Sequence, residues 1–272
     1  MDTDIAILMR TTFWLAVVLL GGLIVRGAAQ DRAPSPDVRN VLAPTGRLRV
    51  GLYLGNPSSL LKDPVSGQES GVGFELGREL AKLLDVPFEQ VVYPNNGAVL
   101  EGMRAGNVDV VFTNATPARA KEIDFTQPYL EVEAGYLVPK GSPVATIADV
   151  DKPGIRVGVM EGSTSAVTLP GLLKNASVVR VPNVETVIEM LSARTLDAFA
   201  TNKSILFEMS DKLSESSVLE GRYGVEQLAL GLPRGREAGL PYVREFVAAA
   251  VSNGLVKAAV DRAGFRGGNV KR

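Results

Sequence analysis

The chain has 272 residues, with 29 Lys+Arg against 30 Asp+Glu and a formal net charge of −1. That balance gives no footing to a nucleic-acid partner or a polybasic membrane patch. Cysteine and histidine are both absent, which excludes disulfides, cysteine nucleophiles and a lipid-modified N-terminal cysteine, and argues against triad chemistry and zinc hydrolysis. No cofactor or metal is expected.

The N-terminus opens with Met1 to Arg10, then an apolar run from Thr11 to Val25, then small residues around Ala28-Ala29. The run is shorter than the ~20 residues a spanning helix needs, so residues 1–29 are expected to be a cleaved secretory signal. Asp2, Asp4 and Arg26 depart from the usual signal pattern, which keeps an uncleaved anchor open as the alternative. Residues 30–46 are rich in proline and charge and are expected to form a linker.

Arg47 to Leu54 alternates and is β-prone, a first sheet strand, with Gly55-Asn56-Pro57-Ser58-Ser59 as the turn at its carboxyl end. Gly77 to Leu84 is a helix whose apolar face holds Leu76, Leu80, Leu83 and Leu84. Val86 to Val92 is a second strand, and Tyr93 to Gly97 its loop. An amphipathic helix carrying Val99, Leu100 and Met103 stops at Gly106. The run from Val108 to Phe112 is a buried strand interrupted only by Asp109. Thr113 to Pro117 is polar and leads into Ala118-Arg119-Ala120-Lys121, where Thr116 suits an N-cap and Pro117 a first helical turn. A strand, a polar loop and a helix start in that order form the place where open α/β sheets hold ligands. Arg119 offers a planar fork for a carboxylate, although a first-turn arginine is also commonly a solvated surface group.

Val132 to Val138 is a strand leaving the first half, with Lys140 to Pro143 as the exit. Gly154 to Val159 starts a second sheet. Glu161-Gly162-Ser163-Thr164-Ser165 follows it as a small hydroxyl-rich loop at a helix start, a plausible anion cradle. Val178 to Val181 is a strand, Glu185 to Leu191 a helix, and Asp197 to Ala200 a short buried strand ending in Thr201-Asn202-Lys203. Ser204 to Leu213 is a helix, Gln227 to Leu232 a return strand, Gly239 to Ala263 a final helix, and residues 264–272 a polar tail. No internal repeat is expected.

TPARAKEIDFTQPY, Thr116 to Tyr129, resembles the T-P-x-R-x-K-x-[VI]-[DA]-F-[ST]-x-P-Y run of the family 3 bacterial solute-binding proteins, the periplasmic receptors of amino-acid-type ABC importers. GFELGRELAKLL resembles that family's G-F-[DE]-x-[DE]-x-x-x-[LIVMA]-[AG] signature, with Gly77 standing where an acid is usual. The resemblance spans roughly Arg47 to Ala263. It implies an α/β, two-lobed periplasmic-binding-protein fold of type II, with two open sheets flanked by helices and a two-strand hinge. Residues 47–138 and 227–263 would form one lobe and residues 139–226 the other. It further implies that Arg119 grips a ligand carboxylate and that the Gly162-Ser163-Thr164 loop completes it from the second lobe.

The family pattern breaks mainly at the pocket. Where amino-acid receptors carry a hydroxyl or small residue five positions before the arginine, this chain has Asn114. Where an aspartate neutralises the ligand's ammonium, it has Asn202. Gly55 and Asn56 replace an aromatic before Pro57, and a second expected aromatic falls near Asn95 or Asn96. A site of Arg119, Asn114, Asn202, Asn56, Asn96, Ser163 and Thr164 is rich in donors and poor in negative charge. The expected ligand is therefore a small polar carboxylate, an amino acid or a related organic acid, bound between closing lobes. The expected protein is a periplasmic monomer that docks on the membrane permease of an ABC importer. Two alternatives stay open: a dehydratase-like enzyme on this scaffold, using carboxylates such as Glu161 or Glu75, and a ligand-sensing domain for a membrane receptor.

Overall fold

A computed structural model describes residues 34–271; the expected signal segment lies outside the described residues. Within the stretch expected as a linker, residues 36–42 instead form helix α1 (Pro36–Leu42), which Ser35 caps by accepting from the Val38 N–H at 3.3 Å. Proline at the first position suits a helix start, and Leu42 is completely buried, packed against Gly239. The linker reading is corrected there: an apolar residue at the end of a capped turn found a core to enter.

In order, the chain continues through β1 (Leu48–Tyr53), the small hairpin β2 (Leu61–Lys62) and β3 (Glu69–Ser70), α2 (Val72–Leu83), β4 (Phe88–Tyr93), α3 (Asn96–Arg104), β5 (Val110–Asn114), β6 (Ile123–Phe125) and β7 (Leu130–Val138). Next come β8 (Arg156–Met160), α4 (Thr164–Leu172), β9 (Ser177–Val181), α5 (Val184–Ser192), β10 (Ala198–Asn202), α6 (Lys203–Lys212) and β11 (Ser217–Val218). The chain returns along β12 (Gly224–Pro233) into α7 (Leu240–Ser252), α8 (Leu255–Arg262) and β13 (Gly268–Val270). The expected single final helix is two, because Gly254 adopts a left-handed φ of 83° between them, a conformation that ends a helix and suits glycine.

The strands run β4-β1-β5-β12-β7-β10-β8-β9. The flanks β4-β1-β5 and β10-β8-β9 are parallel, and the antiparallel strands β12 and β7 join them. The two sheets of the two-lobed fold are therefore one continuous hydrogen-bonded ladder, passing from one half to the other through the hinge strands. β7 serves both: Leu130 to Ala134 pair with β12, and Ala134 to Leu137 pair with β10.

Period-two alternation splits each central strand between helical layers. In β5, Val110 and Phe112 join the core under α2, α7 and α8, while Val111 faces α3 with Val99, Leu100 and Met103. In β10, Ala198 and Ala200 face the layer holding Ala166 and Leu169 of α4, while Phe199 turns to the α5 and α6 layer. Tyr129 is fully buried edge-on against Phe112, with ring centroids 6.1 Å apart. Its hydroxyl has no hydrogen-bond partner among the described residues. A buried orphan donor costs free energy, so Tyr129→Phe is expected to raise unfolding stability by about 1 kcal/mol. Urea denaturation measures it, and a loss of stability would show that the hydroxyl has a partner in solution.

The two halves also repeat a unit, which corrects the expectation of no internal repeat. Residues 94–114 and 182–202 each run from an Asn that caps a helix (Asn95, Asn183) through that helix to a strand ending in Thr-Asn. Eight of the 21 paired positions are identical (Pro94/Pro182, Asn95/Asn183, Val99/Val187, Glu101/Glu189, Ala105/Ala193, Asp109/Asp197, Thr113/Thr201, Asn114/Asn202). The shared physics is an aspartate before the strand that ties down an arginine on the neighbouring strand. Asp109, fully buried, accepts from Arg49 N (2.9 Å), Nε (3.0 Å) and Nη2 (2.7 Å), and from Arg236 Nη1 (2.8 Å). Asp197 accepts from Arg156 N (2.8 Å), Nε (2.9 Å) and Nη2 (2.9 Å).

The expected polar tail is also ordered into the fold. β13 pairs with β7, and Lys271 N donates to Tyr129 O at 3.0 Å. Arg266 reaches α6, stacking 4.9 Å over the Phe207 ring and pairing with Asp211. Its backbone finds an open edge on β7, so polarity of side chains was no guide to its placement.

Candidate functional site

The carboxyl ends of parallel strands β1, β5, β8 and β10 converge where the halves meet, the crevice in which open α/β sheets bind ligands. Arg119 enters from the 3₁₀ turn after β5, where the Thr116 hydroxyl accepts from its N–H at 3.2 Å. Its guanidinium donates through Nη1 to Thr113 Oγ1 (2.9 Å) and Asn114 O (3.1 Å), and through Nη2 to Gly162 O (3.3 Å) in the other half. The planar fork thus serves both halves at once.

The remaining expected residues take different posts. Asn114 is buried, accepts from Gln227 N (2.8 Å) and donates to Thr164 Oγ1 (3.2 Å) across the cleft. Asn202 caps α6 by accepting from Ile205 N (3.3 Å), and its amide donates to Glu226 Oε2 (3.3 Å). Asn96 accepts from the Thr113 hydroxyl at 3.1 Å and lines the cavity. Ser163 caps α4, accepting from Ala166 N at 3.1 Å. Arg119, Asn114, Asn96, Ser163, Thr164 and Asn202 therefore share one cavity. Asn56 is fully buried and does not line it. Its oxygen accepts from Ser58 N (2.9 Å) and Ser58 Oγ (2.9 Å), and its amide donates to Tyr53 OH. It holds the turn that places Tyr53 and Ser58 at the wall, the kind of work asparagine does in turns.

The residue missed is Glu226. It sits on β12, 8% exposed, and lines the same cavity. The expectation of a site poor in negative charge is overturned by its carboxyl. Burial pushes its pKa up, opposed by the Arg119 charge and by the Asn202 and Thr164 side chains. Burial also pushes the Arg119 pKa down, with Glu226 acting against it, and pushes the Tyr53 phenol up to about 12. The signal existed in the sequence. Glu226 alternates with Leu228 and Leu230 on the inward face, but a strand begun at Gln227 left it in a loop.

The halves are shut on one another. Asn95 Nδ2 donates to Pro182 O at 3.0 Å, and a Cβ on Gly162 would lie 2.4 Å from Gly97 Cα. Gly162, at a φ of 69°, is where backbone meets backbone. The cavity between them is about 30 Å³, roughly the share of one water in liquid, so a larger ligand requires the halves to part. Outside it, a cavity of about 420 Å³ lies between α3, the Arg119 turn and α4, walled by Leu100, Met103, Ile123 and Val167, with Arg119 common to both. Among the described residues no cluster of Asp and Glu resembles a metal site, and no helix is long and apolar enough to cross a membrane.

Residues 48–263 match the profile of the bacterial extracellular solute-binding proteins, family 3. The chain is 24% identical over 242 residues to the ABC transporter glutamine-binding protein GlnH of Bacillus subtilis (strain 168), covering 85% of this chain and 88% of that protein. The solved solute receptor for L-cysteine of Neisseria gonorrhoeae is similar at a TM-score of 0.73 and 24% identity, over 83% of this chain and 92% of that one. The ancestral amino-acid-binding protein AncCDT-1, described as a precursor of cyclohexadienyl dehydratase, matches at a TM-score of 0.72 and 24% identity, over 84% of this chain and 99% of that one. At these identities the two structures establish a shared fold.

Proposed function

Because the chain belongs to the bacterial extracellular solute-binding proteins of family 3, we propose that it is the periplasmic receptor of an ABC importer. It would carry a small polar carboxylate, an amino acid or a related organic acid, to a membrane permease as a monomer. The observation that carries this reading is the placing of Arg119. It is a bidentate fork at the carboxyl ends of the strands, tied to its own half by Thr113 and Asn114 and touching Gly162 of the other. A carboxylate between the halves would take over the Gly162 contact and gain the N–H groups of the α4 start, where Ser163 and Thr164 lie. Binding then favours the shut form, because only there do both halves touch the ligand.

A thermal-shift screen of the mature protein against amino acids and organic acids tests it. A ligand at about 100 times its Kd adds roughly 2.7 kcal/mol of stability by mass action. Stabilisation by a carboxylate, and none by its amide or ester, is the expected result; silence across all carboxylates would sink the reading. A second reading rests on Glu226 and Glu161 lining one cavity, since two carboxyl groups in one cleft are equipment for acid–base chemistry. NMR of a stabilising ligand after prolonged incubation separates the two: an unchanged spectrum supports the receptor.

A further inference from the structure

The segment after α8 is built into one half yet reaches the other. Phe265 and Val270 pack against the core under α2, α7 and α8, and β13 pairs with β7. At Ala134, where β7 passes between the halves, Asn202 of β10 holds one edge and Gly224 of β12 the other. Two residues earlier, at Val132, Gly268 takes the edge that β10 does not reach. β13 and β10 therefore lie end to end along one side of the hinge strand, one from each half.

The junction between them is closely packed. Gly267 has a φ of 77°, and a Cβ on it would lie 2.4 Å from Lys203 Cβ in the first turn of α6. Lys203 in turn lies over Gly135 of β7, where an added Cβ would come within 3.1 Å of Lys203 Cε. Its side chain is 11% exposed, and its Nζ donates to Glu133 Oε2 at 2.7 Å. Two glycines, one in the hinge strand and one in the tail, thus form the slot for this lysine. Beside it, Arg266 donates through Nη1 to Asp211 at 3.3 Å, lies 3.9 Å from Glu208 and stacks on Phe207. All three partners are on α6, whose Ile205, Leu206 and Met209 belong to the core of the other half. Asn202, the residue before Lys203, lines the cavity.

We propose that residues 264–271 are a strap across the hinge, in which Arg266 and Gly267 are positioning residues that bias the halves toward the shut form. The backbone crosses between the halves after β7 and again before β12. The strap is a third link, made of side-chain stacking and close packing alone. Parting the halves turns α6 about the hinge relative to α8 and β13, so opening has to stretch the Arg266 stack and the Gly267 contact. Interactions made more fully in one of two states shift the balance by their difference. Because Lys203 is held from two sides, the strap also fixes the end of β10 that carries Asn202 to the cavity. Each contact is modest, an exposed ion pair and one cation–π stack, which suits a latch that must yield whenever something enters. The proposal goes beyond the receptor reading and does not depend on it, since its test needs no ligand.

Double electron–electron resonance on the full mature chain tests the strap. The sequence has no cysteine, so nitroxides at Lys82→Cys on α2 and Glu189→Cys on α5, both exposed, report the distance between the halves without background labelling. In the unliganded protein, the ratio of shut to open distances should fall about two- to fivefold in Arg266→Ala, the worth of one exposed cation–π contact. Arg266→Lys can still stack and pair, and should recover part of that change. Gly267→Ala acts from the other side. Its methyl group would press on the stem of a helical residue that cannot swing away, and the ratio should fall about tenfold. Urea denaturation of the same variants separates a strap from general support. A role in folding alone would lower the unfolding midpoint and leave the distances of the folded protein as they were. Distances that match wild type in both Arg266→Ala and Gly267→Ala overturn the strap, and so does a shift toward the shut form. Either result leaves the receptor reading untouched.

Discussion

Asp109→Ala is expected to destabilise the protein by about 3–5 kcal/mol, the cost of breaking a fully buried charge pair and leaving its partners uncompensated. Three donors from Arg49 and one from Arg236 converge on this carboxylate, and both arginine side chains are only 17% exposed. Removing the anion strands two guanidinium groups where water reaches them poorly, and frees the Arg49 backbone N–H that fixes the register of β1 against β5. The counterpart in the other half sets the comparison. Asp197→Ala frees one arginine, Arg156, whose side chain is 40% exposed, so water rescues it and the loss should be nearer about 2 kcal/mol. Urea unfolding of the two variants side by side measures both. Equal losses, or a smaller loss for Asp109→Ala, would show that burial does not set the cost.

Arg119→Ala should abolish measurable ligand binding, weakening it by about 100-fold or more, the effect of removing one partner of a desolvated charge contact. Arg119→Lys should restore little, although it keeps the charge. The guanidinium holds Thr113 Oγ1, Asn114 O and Gly162 O in a flat fork, and an ammonium on a flexible stem cannot present the same directions. The loss of stability relative to wild type should grow as pH rises, as it does for any arginine whose removal raises the pKa of a folded carboxyl. Without the Arg119 charge opposing it, burial raises the Glu226 pKa further, so the carboxyl stays neutral over a wider range. Calorimetric titration of both variants with a ligand found by thermal shift gives the affinities. Binding by Arg119→Lys within about threefold of wild type would mean that charge, not geometry, is what the site uses.

Much of the fold was legible because strands buried on both faces announce themselves as apolar runs. Val108 to Phe112 and Gly154 to Val159 were placed within about two residues of β5 and β8, the usual error at element ends. What escaped was decided by partners remote in sequence. Helix α1 is held by the burial of Leu42 against Gly239, and β13 by an open edge on β7; neither segment carries a local apolar signal strong enough to declare itself. The repeat was hidden because only eight of its 21 paired positions are identical, and they are scattered over caps, helix and strand ends with no unbroken run longer than two. At the cavity, Arg119 and the hydroxyl loop were read through a motif, whereas Glu226 required knowing which face of β12 turns inward. The asparagine pattern misled for a related reason. Counting side-chain types along the first and second halves left out the strand that closes the sheet between them.

That closing strand also imposes an order in time on a chain made from its N-terminus. By the time Asn202 has been made, β7, β8, β9 and β10 can already pair. β5, in contrast, waits for Leu228 to Gly231 before its second edge is covered. The half bearing Arg119 therefore spends much of synthesis with an apolar strand edge unpaired, the condition under which chains stick to one another. Glu226 rides on the same late strand, so its carboxyl leaves water only once both halves stand ready to receive it.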